Sequence, residues 1–198
     1  MKKEALVDPV VELLYDVRHN TNEEQILNYA KKFANDEVIG LKLLSNLKLT
    51  EEAKAVFARS SNTEIRRKLA GMAENIESTK TQLRLAHDKD KVVKEELART
   101  TTKEEIKEIL FRTNPEWNGN YKIRGTCLRR MRNQNIIERF ILTSHIDILA
   151  KYADYILQNR HMSRYNLNIF VILCTELSAK QKEMARNHPQ FDKYIKLT

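Results

Sequence analysis

The segment YKIRGTCLRRMR, residues 121–132, places Lys122, Arg124, Arg129, Arg130 and Arg132 within twelve residues and no acid among them. As a helix, it puts Ile123, Cys127 and Met131 on one stripe at four-residue spacing, the stripe that is expected to be buried. Lys122, Arg129 and Arg132 then fall within an arc of about 80° on the opposite side, with Gly125 between them. Arg124 and Arg130 flank the stripe and extend outward from its edges. Cations in such a row can neutralise successive phosphates of a nucleic-acid backbone. The same row also fits a solvated helix face or a surface for an acidic protein. Directly before it, RTNPEWNGN carries Pro115 and Asn118-Gly119, turn formers that set Trp117 in a loop. Trp117 either anchors that loop on a neighbouring helix or serves as a stacking platform for an unpaired base, or as a hot spot for a partner.

Catalytic chemistry finds little else to use. His19, His87, His145, His161 and His188 are scattered, and none pairs with Cys or another His at metal-ligand spacing. Gly-rich phosphate loops, nucleophile elbows and His-Glu-x-x-His are absent from the sequence. Cys127 and Cys174 sit inside apolar helical patterns and read as reduced core thiols of a cytoplasmic protein. The expectation is a binding protein without enzymatic activity, cofactor or metal. MKKEALVDP has no apolar stretch behind its lysines, unlike a signal peptide, and the run Ile169 to Cys174 is too short to cross a bilayer. The expected partner is therefore DNA or RNA, or alternatively an acidic protein, and not a membrane.

Helices must position these residues. Only 4 Gly and 3 Pro occur among 198 residues, and 31% are charged, a composition of helices joined by short polar loops. The net charge of +8 is uneven: residues 112–198 hold 15 Lys+Arg against 7 Asp+Glu, whereas residues 1–57 hold 8 against 10. Such a gradient marks one end as the one that meets a polyanion or acidic partner.

A phrase recurs along the chain. Val11, Ile39, Ile65, Val93, Ile123 and Ile148 are spaced by 28, 26, 28, 30 and 25 residues. Three residues before the first five stand Asp8, Asp36, Asn62, Asp90 and Asn120, side chains suited to the helix N-cap; His145 is a poorer cap in the sixth. One turn after the anchors come Tyr15, Leu43, Leu69, Leu97, Cys127 and Tyr152 on the same face. Second helices are expected over Asn22–Phe33, Glu51–Phe57, Thr79–Leu85, Lys103–Phe111, Asn135–Leu142 and Arg164–Leu173. Thr21 with Glu24, and Thr102 with Glu105, fit capping boxes; Thr50 precedes Glu51 and Glu52, and Asp8 precedes Pro9.

Six helix pairs at this period predict an all-α fold, a short right-handed α-solenoid forming one domain over 1–198. A polar capping helix is expected at about 176–187. The pattern Asp/Asn-x-x-Val/Ile-Arg-x-x-Leu-Ala resembles the first helix of HEAT-like repeats and of their bacterial leucine-rich-repeat-variant relatives. Asn62, Ile65, Arg66, Leu69 and Ala70 match it best; Asp90, Val93, Lys94, Leu97 and Ala98 match with Lys for Arg. Asn120, Ile123 and Arg124 match in part, and Glu12 and Gly40 depart from the basic position, interrupting any ladder of Asp–Arg contacts. The resemblance implies the fold. Function is left between nucleic-acid backbone binding and an adaptor or small inhibitor that grips a protein along the concave face.

Overall fold

The computed structural model describes residues 9–114, 120–192, 194, 195 and 197, and they are all-α, with no strand among them. Their contacts divide the chain into two compact units, Met1–Thr102 and Lys103–Thr198. The first contains α1 (Pro9–His19), α2 (Glu23–Lys32), α3 (Glu37–Leu43), α4 (Glu51–Phe57), α5 (Thr63–Ala70), α6 (Thr79–Ala86) and α7 (Lys91–Thr100), with a single 3-10 turn at Ala73–Asn75. The second contains α8 (Glu104–Thr113), α9 (Tyr121–Arg130), α10 (Gln134–Thr143), α11 (Ile146–Leu157), α12 (Arg164–Leu173) and α13 (Ala179–Arg186).

The expected caps start many of these helices. Asp36, Asn62 and Asp90 accept from backbone N–H groups of α3, α5 and α7, and Thr50 does so for α4. Ser78, Ser163 and Ser178 cap α6, α12 and α13, the last as a reciprocal box with Gln181. Two expected boxes are replaced. Asn22, not Thr21, caps α2, because Asn20 Oδ1 accepts the Asn22 N–H at 2.8 Å and fixes the turn one residue later. Helix α8 begins at Glu104 with Lys103 at the cap position and no side-chain cap. Asn120 precedes α9 at ψ 17°, too far from extended geometry to cap it, and His145 accepts the Asp147 N–H at a marginal 3.5 Å. Asp8 lies outside the described residues.

The repeat anchors divide by position. Ile65, Val93 and Ile123 are fully buried, with Leu69, Leu97 and Cys127 one turn on. Val11 and Tyr15 are instead exposed, by 55% and 67%, and Val17 is the buried residue of α1. Helix α1 packs chiefly on α3, so one side of it has no described neighbour to cover an apolar face. Ile39 and Ile148 are half-buried; Gly40, Leu43 and Leu44, and Leu149, Tyr152 and Ala153, fill the core one position later. Gly40 occupies the place of the basic residue because a Cβ there would stand 2.6 Å from Ile65 Cδ1.

Within the first unit α1, α3, α5 and α7 pack in succession, and α2 packs on α4. Within the second, α9 lies between α8 and α11, α10 packs on α12, and α11 on α13. Buried amides tie these layers together. Asn46 Nδ2 donates to Val17 O and Asn20 O, both at 3.0 Å. Asn159 Nδ2 donates in the same way to Leu128 O at 2.7 Å and Met131 O at 2.9 Å. Gln82 Nε2 reaches Ala73 O and Ile76 O, each at 2.8 Å. In all three cases one side-chain amide bridges two carbonyls three residues apart at a helix end or turn.

Candidate nucleic-acid interface

The stripe Ile123, Cys127 and Met131 is buried, as its four-residue spacing requires. The rest of the segment is used differently from the expectation of one cationic face. Helix α9 ends at Arg130, and Met131 turns to extended backbone (ψ 136°), so Arg132 leaves the helical arc. Glu104 causes this turn: its Oε1 accepts the backbone N–H of Arg132 at 2.6 Å and of Asn133 at 2.9 Å. Lys107 Nζ donates to Glu104 Oε2 at 2.7 Å and to Arg130 O at 3.0 Å, closing the end of α9 from the other side. Burial would raise the Glu104 carboxyl, but the bonds from Lys107, Asn133 and Arg132 outweigh it and hold the group below its ordinary value.

Gly125, expected among the cations, is buried. A Cβ there would meet Tyr155 ring atoms at 2.5 Å, so α11 approaches α9 through the middle of its supposed solvent face. A helix held between two neighbours has two covered sides, and the arc opposite its core stripe is not all solvent.

Arg124 turns inward. Its guanidinium carbon lies 4.5 Å from the centre of the Phe111 ring, 5.4 Å from Phe140 and 6.0 Å from Tyr152. Phe111, Phe140 and Tyr152 meet edge to face at 5.5 and 5.4 Å, so Arg124 completes an aromatic cluster by cation–π contact. It is therefore a packing residue rather than an outward cation. Arg130 is half-buried.

Lys122 and Arg132 remain exposed, and Arg129 is half-buried with Nη1 3.5 Å from Gln158 Oε1. None of these three has an ion-pair partner among the described residues. In the first unit, by contrast, Arg67 pairs with Glu64, Lys91 with Glu95 and Arg99 with Glu96. Trp117, with its loop, lies outside the described residues.

The neighbouring carboxylates were not visible in the sequence of α9. Besides Glu104, Glu108 Oε1 accepts from Asn133 Nδ2 at 2.7 Å. Their signal is periodic and sits on the second helices. Glu51 accepts the Ser78 N–H at 2.9 Å while pairing with Lys54, which also donates to Asn75 O. Gln134 accepts the Ser163 N–H at 2.8 Å. Glu51, Glu104 and Gln134 each open a helix and each hold the chain 27 to 29 residues later.

Burial pushes the Cys127 thiol up to about 12, and burial also raises Cys174. Neither is a thiolate at neutral pH. Among the described residues no group of three or more His, Cys, Asp and Glu is placed to hold a metal ion, and no helix is long and apolar enough to cross a membrane. No protein-family model, curated protein or solved structure matches this chain.

Proposed function

We propose that this chain is a short HEAT-like α-solenoid of about six helix pairs, a non-enzymatic protein that binds the backbone of DNA or RNA through its C-terminal repeats. The supporting observation is the contrast in ion pairing. Arg67, Lys91 and Arg99 on first helices of the N-terminal unit have acidic partners on their own helix, whereas Lys122, Arg129 and Arg132 have none among the described residues. An unpaired surface cation can release a phosphate counterion without first breaking a contact of its own.

Replacing Lys122, Arg129 and Arg132 together by Gln tests this. Each lost phosphate contact flattens the log–log salt slope by roughly 0.7 for single strands and 0.9 for duplex. The triple variant is expected to lose about 2 to 3 in slope at unchanged helix content, with little change in sequence preference. Arg124→Ala is expected to leave the slope alone. A parent protein that binds random DNA and RNA no better than millimolar at 100 mM salt would end this reading.

One observation favours the alternative of a protein-docking adaptor. Leu142, Tyr165, Ile172 and Leu173 on α10 and α12 are all more than 40% exposed. On that reading, binding requires a folded partner, resists salt and is lost on Tyr165→Ala and Ile172→Ala.

A further inference from the structure

The first unit carries a second group of cations with no counterpart in the repeat pattern. Arg59 follows α4, Arg84 stands on α6, and Lys89 lies in the turn before α7. All three are exposed, and all line one cleft of about 580 Å3. None has an ion-pair partner among the described residues. The cleft's lining includes a single carboxylate, Asp88, and that charge is already taken. Arg66 Nε donates to Asp88 Oδ2 at 2.7 Å and Arg66 Nη2 to Asp88 Oδ1 at 3.2 Å, with both side chains almost fully buried. The pair cancels, so the cleft presents the three outer charges uncompensated.

The same pair makes the walls rigid. Arg66 Nη1 donates to Ser60 O at 2.8 Å and Ser61 O at 3.1 Å, which fixes the turn beside Arg59. Asp88 Oδ1 accepts the Asp90 N–H at 2.8 Å, which fixes the turn carrying Lys89. Two of the three elements that carry the cations, the turns at Arg59 and Lys89, are thereby fixed before any ligand arrives, which lowers the ordering cost of binding.

We infer that this cleft is a binding site for nucleic-acid phosphates, separate from the cations of α9 and sharing with the proposed function only the class of ligand. The lining selects the occupant. Beyond aliphatic stems it offers only Ala58, which is buried, and Leu83, which is half-buried, as apolar side chains. A docked peptide needs an apolar or aromatic anchor pocket, and this cleft has none. It has no Phe, Tyr or Trp, and its single aromatic ring is the exposed His87, whose Nδ1 lies 2.9 Å from Leu83 O. What it can hold is a run of backbone phosphates, without reading sequence.

The test titrates the full chain with a random single-stranded oligonucleotide across a salt series. Four proteins are compared: parent, Arg59→Gln/Arg84→Gln/Lys89→Gln, Lys122→Gln/Arg129→Gln/Arg132→Gln, and the combination of all six. The exposed positions leave the core intact, and circular dichroism checks that helix content is kept. The expected result is a slope flattened by about 2 in the Arg59/Arg84/Lys89 variant. That change should appear again, on top of the other, when the six are combined. A parental slope in the Arg59/Arg84/Lys89 variant overturns the cleft site while leaving the α9 reading standing. A parental slope in the other triple, with the cleft variant impaired, does the reverse. Polyglutamate that competes as well as the oligonucleotide at equal charge would also overturn the inference, by showing an acidic polypeptide to be the occupant. So would a parent that binds no oligonucleotide.

Discussion

Gly125 shows how much can depend on one missing side chain. Its Cα faces the Tyr155 ring so closely that a Cβ would meet Cδ2, Cε2 and Cγ between 2.5 and 2.7 Å. Cγ sits near the Tyr155 backbone, so the ring cannot swing clear by a change at its tip. Gly125→Ala should gain about 1 kcal/mol of helix propensity and still be destabilising by about 1–3 kcal/mol through overpacking. In a Tyr155→Ala background most of that penalty should vanish, since the two residues share one contact. Urea denaturation of the four proteins in this cycle measures it; additive effects would mean that Tyr155 does not close on α9. The identity of these side chains was legible in the sequence, and their direction was not. A helical wheel assigns one inside and one outside. Gly125 and Arg124 are decided by which helices flank α9, and that information resides in residues 111, 140, 152 and 155.

At the scale of elements, helix starts were the best-written signal. Asp36, Thr50, Asn62 and Asp90 cap as their types demand, and α4 and α12 occupy the expected spans to the residue. What was not legible is the second duty of the residue after the cap. Glu104 opens α8 and also ends α9, through bonds to Lys107, Arg132 and Asn133 that only the folded chain assembles. The depressed Glu104 carboxyl gives a direct test. Its folded value lies below the unfolded one, near 4.3, so its contribution is complete above that pH and is lost as pH falls through the folded value. Glu104→Gln should therefore be less stable than the parent at pH 7, and the gap between them should close as pH drops below about 4. Denaturation midpoints at pH 7, 5, 4 and 3 follow this; a gap that stays constant across the series would assign Glu104 a purely steric role.

On the scale of the molecule, packing runs chiefly between helices two places apart in the order of each unit, as in α1 on α3, α5 on α7 and α10 on α12. Leu69 is fully buried in α5, which packs against α3 and α7. Leu69→Ala should cost roughly 2–5 kcal/mol, seen as a lower midpoint or a broadened transition for the first unit. A melting curve indistinguishable from the parent's would disprove that packing. The spacing of Ile65, Val93 and Ile123 was legible because each fills a core, whereas the cationic cleft was not, because Arg59, Arg84 and Lys89 share no period. Three elements bring them together, and the Arg66–Asp88 pair that holds two of those elements joins residues 22 positions apart.

Both cysteines of the chain, Cys127 and Cys174, are buried in the second unit. The protein thus contains a natural clock for the opening of that half. Alkylation of either thiol has to wait until its surroundings open, and the Cys127 thiol, pushed up to about 12, adds almost no background reaction while closed. Pulsed labelling at pH 8, read by mass spectrometry of the peptides around residues 127 and 174, should then report two opening rates without any engineered probe. Gly125→Ala should accelerate the first, because its extra methyl strains the contact of α9 with Tyr155 and so destabilises the helix that carries Cys127. The first unit, which has no cysteine, leaves the signal uncontaminated.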